Sequence, residues 1–211
     1  MELTIGARLL SSGRKHDPAL EESLIERCKR QDAEAFGHFV DAYQNRVFGF
    51  VKRMVGDLDE AADISQEVFV RAYQNFVRFD GRSSVRTWLF RIAHNLCVDR
   101  ARKNLRTPAE TRIDSAFEDD EPMEFADSRW DPETAVLTGE LMTAAEAAIG
   151  TMSEKLRSVL LLHDKEDLAY DEIARLLELP IGTVKSRLFL ARAHLQSALK
   201  PYLASEVNRH V

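Results

Sequence analysis

Four polar side chains near the C-terminus, Thr183, Lys185, Ser186 and Arg187, are of the kinds that hydrogen-bond base edges and phosphate oxygens. They sit at the start of a stretch from Pro180 to Lys200 whose charged residues, Lys185, Arg187, Arg192 and Lys200, are all basic. A second set has the opposite character. Between Met54 and Glu67 every charged residue is an acid (Asp57, Asp59, Glu60, Asp63 and Glu67). Asp63 and Glu67 are four apart, so on a helix they share a face and can accept arginine donors together. A third set begins at Asp80-Gly81, where residues 77–106 hold eight bases against Asp80 and Asp99. A loop followed by a basic, aromatic-bearing helix suits the capture of unstacked bases and the neutralisation of their backbone.

Other chemistry finds little support. The six histidines are scattered, with no metal-ligand spacing around them, and His94 reads as structural or phosphate-facing. No nucleophile elbow or phosphate-cradling glycine loop is present, and Asp57-x-Asp59 lacks the Gly and distal Glu of a calcium loop. Cys28 and Cys97 lie far apart on apolar-patterned stretches, which predicts buried thiols. The reading is therefore of a non-enzyme with no catalytic residues, no metal and no cofactor. No apolar run reaches bilayer length and Met1-Glu-Leu-Thr does not open a signal core, so no membrane insertion and a cytoplasmic location are expected.

The elements that must hold these sets are helical. Tyr170, Ile173, Ala174 and Leu177 recur at helical spacing. The Leu179-Pro180-Ile181-Gly182 stretch is expected to break the period. Spacing resumes at Val184, Leu188, Ala191 and Leu195, the layout of a helix-turn-helix whose second helix enters a major groove. Upstream, Asp32 is a plausible N-cap for a helix with Phe36, Phe39, Val40, Tyr43, Val47, Phe50, Val51 and Met54 on its apolar face. Helices over about 60–76 and 84–103 follow, separated by the Gly56-Asp57 and Asp80-Gly81 breaks. In the last of these, Trp88, Leu89 and Ile92 fit an apolar face, which puts Trp88 in the core.

Charge and composition then divide the chain. With 45% hydrophobic and 30% charged residues the sequence is that of a folded globular protein. Its net charge of −6 is a property of one stretch: residues 105–135 hold ten acids against three bases, more than the whole excess. The expected organisation is all-α, with two small helical domains on a flexible acidic linker. A tail of little order covers 1–18, the first domain 19–104, the linker 105–133 and the second domain 134–205.

Three blocks in order carry a family resemblance. Gly182-Thr-Val-Lys-Ser-Arg-Leu, with Ala191-Arg192, is similar to region 4 of the bacterial extracytoplasmic-function sigma factors, which direct RNA polymerase to promoters. Asp59-Glu-Ala-Ala-Asp-Ile-Ser-Gln-Glu-Val-Phe resembles the helix by which they grip the polymerase clamp. Phe79-Asp-Gly-Arg-Ser-Ser-Val-Arg-Thr-Trp resembles the segment that reads and opens the minus-ten element. The resemblance implies core polymerase binding through Asp63, Gln66, Glu67 and Phe69. It implies a minus-ten site of Phe79, Asp80, Gly81, Arg82, Ser83 and Ser84, with Arg86, Asn95, Arg100 and Arg102 tracking the melted strand. On minus-thirty-five duplex it implies Lys185, Ser186, Arg187 and Phe189 near base edges, with Thr183 and Arg192 on phosphates.

The partners so implied are core RNA polymerase, promoter DNA as duplex and as melted single strand, and an anti-sigma protein. A stand-alone regulator using only the helix-turn-helix would need neither upstream block. Two positions depart from the family pattern. Leu190 stands where a basic residue is usual, and Ala169 replaces a Ser that would cap the helix, leaving Asp167 or Asp171 to substitute in part.

Overall fold

The structure, a computed structural model, describes residues 18–106 and 139–207; the expected tail and the acidic stretch lie outside the described residues apart from their edges. The described residues are helical, without strands, and fall into two compact units, one within Ser11–Thr111 and one within Arg112–Val211.

In the N-terminal unit α1 (Pro18–Lys29) leads into α2 (Ala33–Val55), α3 (Leu58–Asn75) and α4 (Val85–Arg106). Each boundary has a local cause. Asp32 caps α2 by accepting a hydrogen bond from the Ala35 N–H at 3.1 Å. Gly56 ends α2 at φ 86°, a left-handed conformation in which a side chain would be strained. Asp57 then caps α3 through the Glu60 N–H at 2.8 Å, which starts that helix at Leu58 rather than the expected Glu60. A 3-10 turn (Phe76–Arg78) closes it. Ser84 caps α4 by accepting from the Thr87 N–H at 3.0 Å. That helix runs on past Lys103 to Arg106, into sequence read as linker.

The apolar stripe of α2 packs against α3 and α4, and α1 crosses onto α2 and the 3-10 turn. Aromatic rings knit this core. Phe76, fully buried, meets Phe36, Phe39, Phe79 and Trp88 at centroid distances between 5.1 and 6.2 Å. Each such side chain contributes about 1.5–3 kcal/mol by burial, with edge-to-face geometry adding specificity. Cys28 and Cys97 are buried thiols outside any disulfide, as expected; burial pushes the Cys28 thiol up to about 11, which keeps it protonated.

In the C-terminal unit α5 (Gly139–Thr151), α6 (Glu154–Leu160) and α7 (Tyr170–Leu177) all pack on α8 (Ile181–Val207). The core is aliphatic, with Val159, Leu161, Leu162, Ile173, Val184 and Leu188 buried. Buried Arg157 donates to the Gly150 and Met152 carbonyls at 2.7 Å, satisfying the end of α5. A π turn (Leu161–Lys165) extends α6, the Glu166 N–H donating five residues back to the Leu161 carbonyl at 3.1 Å.

The turn between α7 and α8 differs from the sequence expectation. Its left-handed residue is Glu178, at φ 58°, whose N–H returns to the Ala174 carbonyl. Gly182 lies inside the first turn of α8, with nothing near where a Cβ would stand, so the turn does not depend on it. The cap of α7 is also corrected. Ala169 has no acceptor, and the carboxylate that returns is Glu172's, accepting from the Ala169 N–H at 3.0 Å; Asp171 instead pairs with Arg175 at 2.8 Å. α8 runs through Pro201, which is exposed, so the carbonyl it leaves unbonded can face water.

Candidate functional site

On α3, Asp63 and Gln66 are exposed, and Glu67 and Phe69 half-buried. Glu67 is already engaged within the helix, accepting from Arg71 Nε at 2.7 Å. An external arginine would have to compete with that pair, a weak one since both partners are about half exposed. Val70, 49% exposed, continues the same face three residues on. The sequence reading missed it, although the spacing marks it. A cleft of about 350 Å³ between α3 and α4 is lined by Asp63, Glu67 and Arg71 on one side and Asp99, Arg100 and Lys103 on the other. The acid set and part of the basic set thus share one groove.

The Asp80–Ser84 loop stands on the aromatic cluster. Gly81 takes φ 73°, a left-handed turn with open space where a Cβ would project. Asp80 holds the turn by accepting from the Arg82 N–H, and its other oxygen meets Arg82 Nε, both at 3.1 Å. The Arg82 side chain is 90% exposed. Asn95 and Arg102 are also exposed on α4, and Ser83 and Arg86 half-buried.

Three residues of this set are engaged within the domain, and one of them is buried. Phe79 is buried, its ring against Phe76 and Trp88 and under the Lys29 ammonium, 5.7 Å from its centroid. It supports the loop from beneath, because a large ring next to an aromatic core gains more from burial than from exposure. Ser84 uses its hydroxyl as the α4 cap, bonded also to Thr87 Oγ1 at 2.7 Å. Arg100 reaches Glu60 at 3.5 Å, tying α4 to the start of α3. Trp88, half-buried against Phe76 and Phe79, is a core residue as expected. His94 has a buried Nδ1 with no hydrogen-bond partner, and burial holds its pKa below the ordinary value of 6.5.

At the start of α8, Lys185 is exposed, Thr183, Ser186 and Arg187 half-buried, and Phe189 36% exposed. The Ser186 hydroxyl donates to the Thr183 carbonyl at 3.1 Å. Leu190, at 37% exposure, offers an apolar surface beside them. Arg192 is 42% exposed and already engaged: its Nη2 donates to Asp164 Oδ1 at 2.7 Å, so the guanidinium braces α8 against the π turn. Asp164 also accepts from His163 Nδ1 at 2.8 Å. Burial pushes the Asp164 carboxyl up, but its hydrogen bonds to His163 and Arg192 outweigh that and hold it below the usual value of 3.8. The His163 ring stacks on Tyr170, centroids 4.9 Å apart, and Lys185 Nζ lies 5.8 Å from the Tyr170 centroid. His163 and Asp164 escaped the sequence reading because a π turn, with no composition signal, is what aims them at α8.

Comparison with known proteins gives a consistent picture. Residues 39–107 match the family described as Sigma-70 region 2, and residues 142–195 match Sigma-70, region 4. The chain is 36% identical over 187 residues to the RNA polymerase sigma-H factor of Pseudomonas aeruginosa, covering 87% of this chain and 95% of that protein. It is 35% identical over 181 residues to the ECF RNA polymerase sigma factor SigW of Bacillus subtilis, covering 83% and 95%. The ECF RNA polymerase sigma-E factor of Escherichia coli K12 is 33% identical over 187 residues, covering 87% and 96%. Among solved structures, the sigma factor RpoE in complex with the anti-sigma factor NepR from Bartonella quintana superposes with TM-score 0.57 at 22% identity, covering 78% of this chain and 96% of that one. CnrH in complex with the cytosolic domain of CnrY gives 0.59 at 21%, covering 84% and 96%.

Proposed function

The chain belongs to the sigma-70 family, in its extracytoplasmic-function group, and directs core RNA polymerase to promoters; from that premise we propose how its residues divide the work. The observation that carries the division is the coexistence in one chain of an exposed loop opening a basic helix and a separate helix-turn-helix with its own exposed cation.

The α3 face of Asp63, Gln66, Glu67 and Phe69, extended by Val70, binds basic and apolar surface on the polymerase. Polymerase arginines would take over Glu67 from Arg71. The Asp80–Ser84 loop receives a flipped minus-ten base. Arg82, with its long exposed side chain, meets the backbone there, and Arg86, Asn95 and Arg102 follow the strand. Phe79 and Ser84 fix the loop's shape without contacting DNA. Lys185, Ser186, Arg187 and Phe189 read the minus-thirty-five duplex. Leu190, lacking the charge usual there, favours apolar contact such as a thymine methyl. The factor works in the cytoplasm, carries out no covalent chemistry of its own, and is controlled by an anti-sigma protein; the similar fold of RpoE, solved in complex with the anti-sigma factor NepR, supports that last point.

The test is run-off transcription with purified protein, core polymerase and fragmented genomic DNA of the source organism. Discrete starts sharing two spaced upstream motifs, absent without the protein, are expected. Asp63→Ala with Glu67→Ala should abolish starts by weakening core binding. Arg187→Ala should keep core binding and lose roughly 1–3 kcal/mol of upstream-motif discrimination. Loss of the same activity in both variants would refute the division.

A further inference from the structure

Lys185 stands at the start of the recognition helix on a flexible four-carbon stem, and a lysine in that state spreads its charge over many positions. The structure restrains it. Its ammonium lies 5.8 Å from the centroid of Tyr170, on α7, within the range of a cation–π contact. The same tyrosine ring carries the His163 imidazole, stacked at 4.9 Å with the planes 23° apart. His163 is in turn fixed by Asp164, to which its Nδ1 is bonded at 2.8 Å. The Asp164 side chain, 13% exposed, also holds Arg192 at 2.7 Å. Arg192 follows Lys185 by seven residues, which is two turns along one face of α8. One π turn therefore grips the recognition helix at two points, directly through Arg192 and through two stacked rings at Lys185.

We infer that Tyr170 is a positioning residue for promoter recognition: with His163 behind it, it holds the Lys185 ammonium in one place at the mouth of the helix. A lysine fixed before DNA arrives loses less freedom on binding, and it discriminates among base edges better than one that swings between neighbours. The inference rests on Lys185 being a duplex contact.

The experiment uses the full chain bound to core polymerase and a duplex pool randomised across the upstream motif recovered in run-off transcription. Tyr170→Leu should weaken holoenzyme binding roughly two- to fivefold, the range of an exposed cation–π contact, and flatten the selected motif. Tyr170→Phe, which keeps the ring, should restore both. In a Lys185→Ala background Tyr170→Leu should have no further effect. Carbon-13 NMR of lysine-labelled full chain gives an independent reading: the Lys185 ε-methylene should be shifted upfield by the ring in wild type and Tyr170→Phe, and not in Tyr170→Leu.

Should Tyr170→Leu fail to fold, His163→Ala, which removes the supporting ring, is expected to give a smaller loss with the same dependence on Lys185. If Lys185→Ala weakens binding while Tyr170→Leu and His163→Ala leave it unchanged, or if their effects persist without Lys185, the positioning role is overturned. A silent Lys185→Ala overturns the assignment of Lys185 to duplex DNA, and this inference with it.

Discussion

Beneath the Asp80–Ser84 loop lie the rings of Phe76, Phe79 and Trp88, whereas the start of α8 is supported by Asp164, His163 and Tyr170. Both arrangements hold a short run of residues proposed to face DNA, and they do so with different physics. In the N-terminal unit the support is shape: large rings fill the space under the loop, and the loop's own bonds, from Arg82 N–H to Asp80 and from Thr87 N–H to Ser84, are local. In the C-terminal unit the support is charge on a smaller aliphatic core, with the Asp164–Arg192 pair joining residues 28 apart. In the proposed roles, a loop that admits a base gains from a rigid floor, while a helix that lies in a groove gains from being held at defined points along its length.

The contrast can be broken most forcefully at Phe76. Phe76→Ala should cost about 3–5 kcal/mol, read as an earlier urea transition of the N-terminal unit followed by Trp88 fluorescence. Amide exchange in α7 and α8 should stay unchanged. Equal loss of protection in both units would mean that their stabilities are not separate.

A smaller effect, of opposite sign, is expected at Ala169. Its N–H is already taken by Glu172, and Ala169→Ser would add the missing acceptor and complete the reciprocal cap. A gain of about 1 kcal/mol in the C-terminal unit is expected, seen as a raised urea midpoint for α7 amides with no change in Trp88 fluorescence. An unchanged midpoint would show that Glu172 alone suffices.

The smallest effects separate the units by pH. The folded pKa of His94 is depressed by burial, so below 6.5 the unfolded chain takes up a proton that the native chain refuses. The N-terminal unit should therefore lose stability as pH falls from 6.5 toward that lower folded value, and His94→Gln should flatten this slope. Asp164 is also depressed, but as a carboxylate: its contribution is complete above 3.8 and is lost only as pH falls through its lower folded value. The C-terminal unit should show no corresponding slope from this group near pH 6. Urea midpoints of both units across pH 5–8 check the pair.

Much of this was legible from residue order. The α2 stripe, the Asp32 cap and the Gly56-Asp57 break follow from periodicity and capping chemistry, and three motifs in sequence pointed to the family. What remained hidden concerns direction. Spacing alone cannot tell whether an arginine or an aromatic ring at the edge of a motif faces solvent or its own domain. Phe79 turned inward because a ring cluster was waiting, and Arg192, though 42% exposed, is tied to a buried carboxylate twenty-eight residues earlier. The turn before α8 misled for another reason: a glycine drew attention, while Glu178 took the left-handed position at a modest cost.

The π turn at Leu161–Lys165 has one more consequence. An α-helix advances each residue by about 100°, and a π turn holds one residue more than that winding needs. Deleting a single residue there would let α6 wind on regularly and would remove the surplus residue by which His163 and Asp164 are turned toward α8. Whether His163 and Asp164 can meet Tyr170 and Arg192 is thus set by how many residues the turn contains, a count that no substitution of one side chain for another changes.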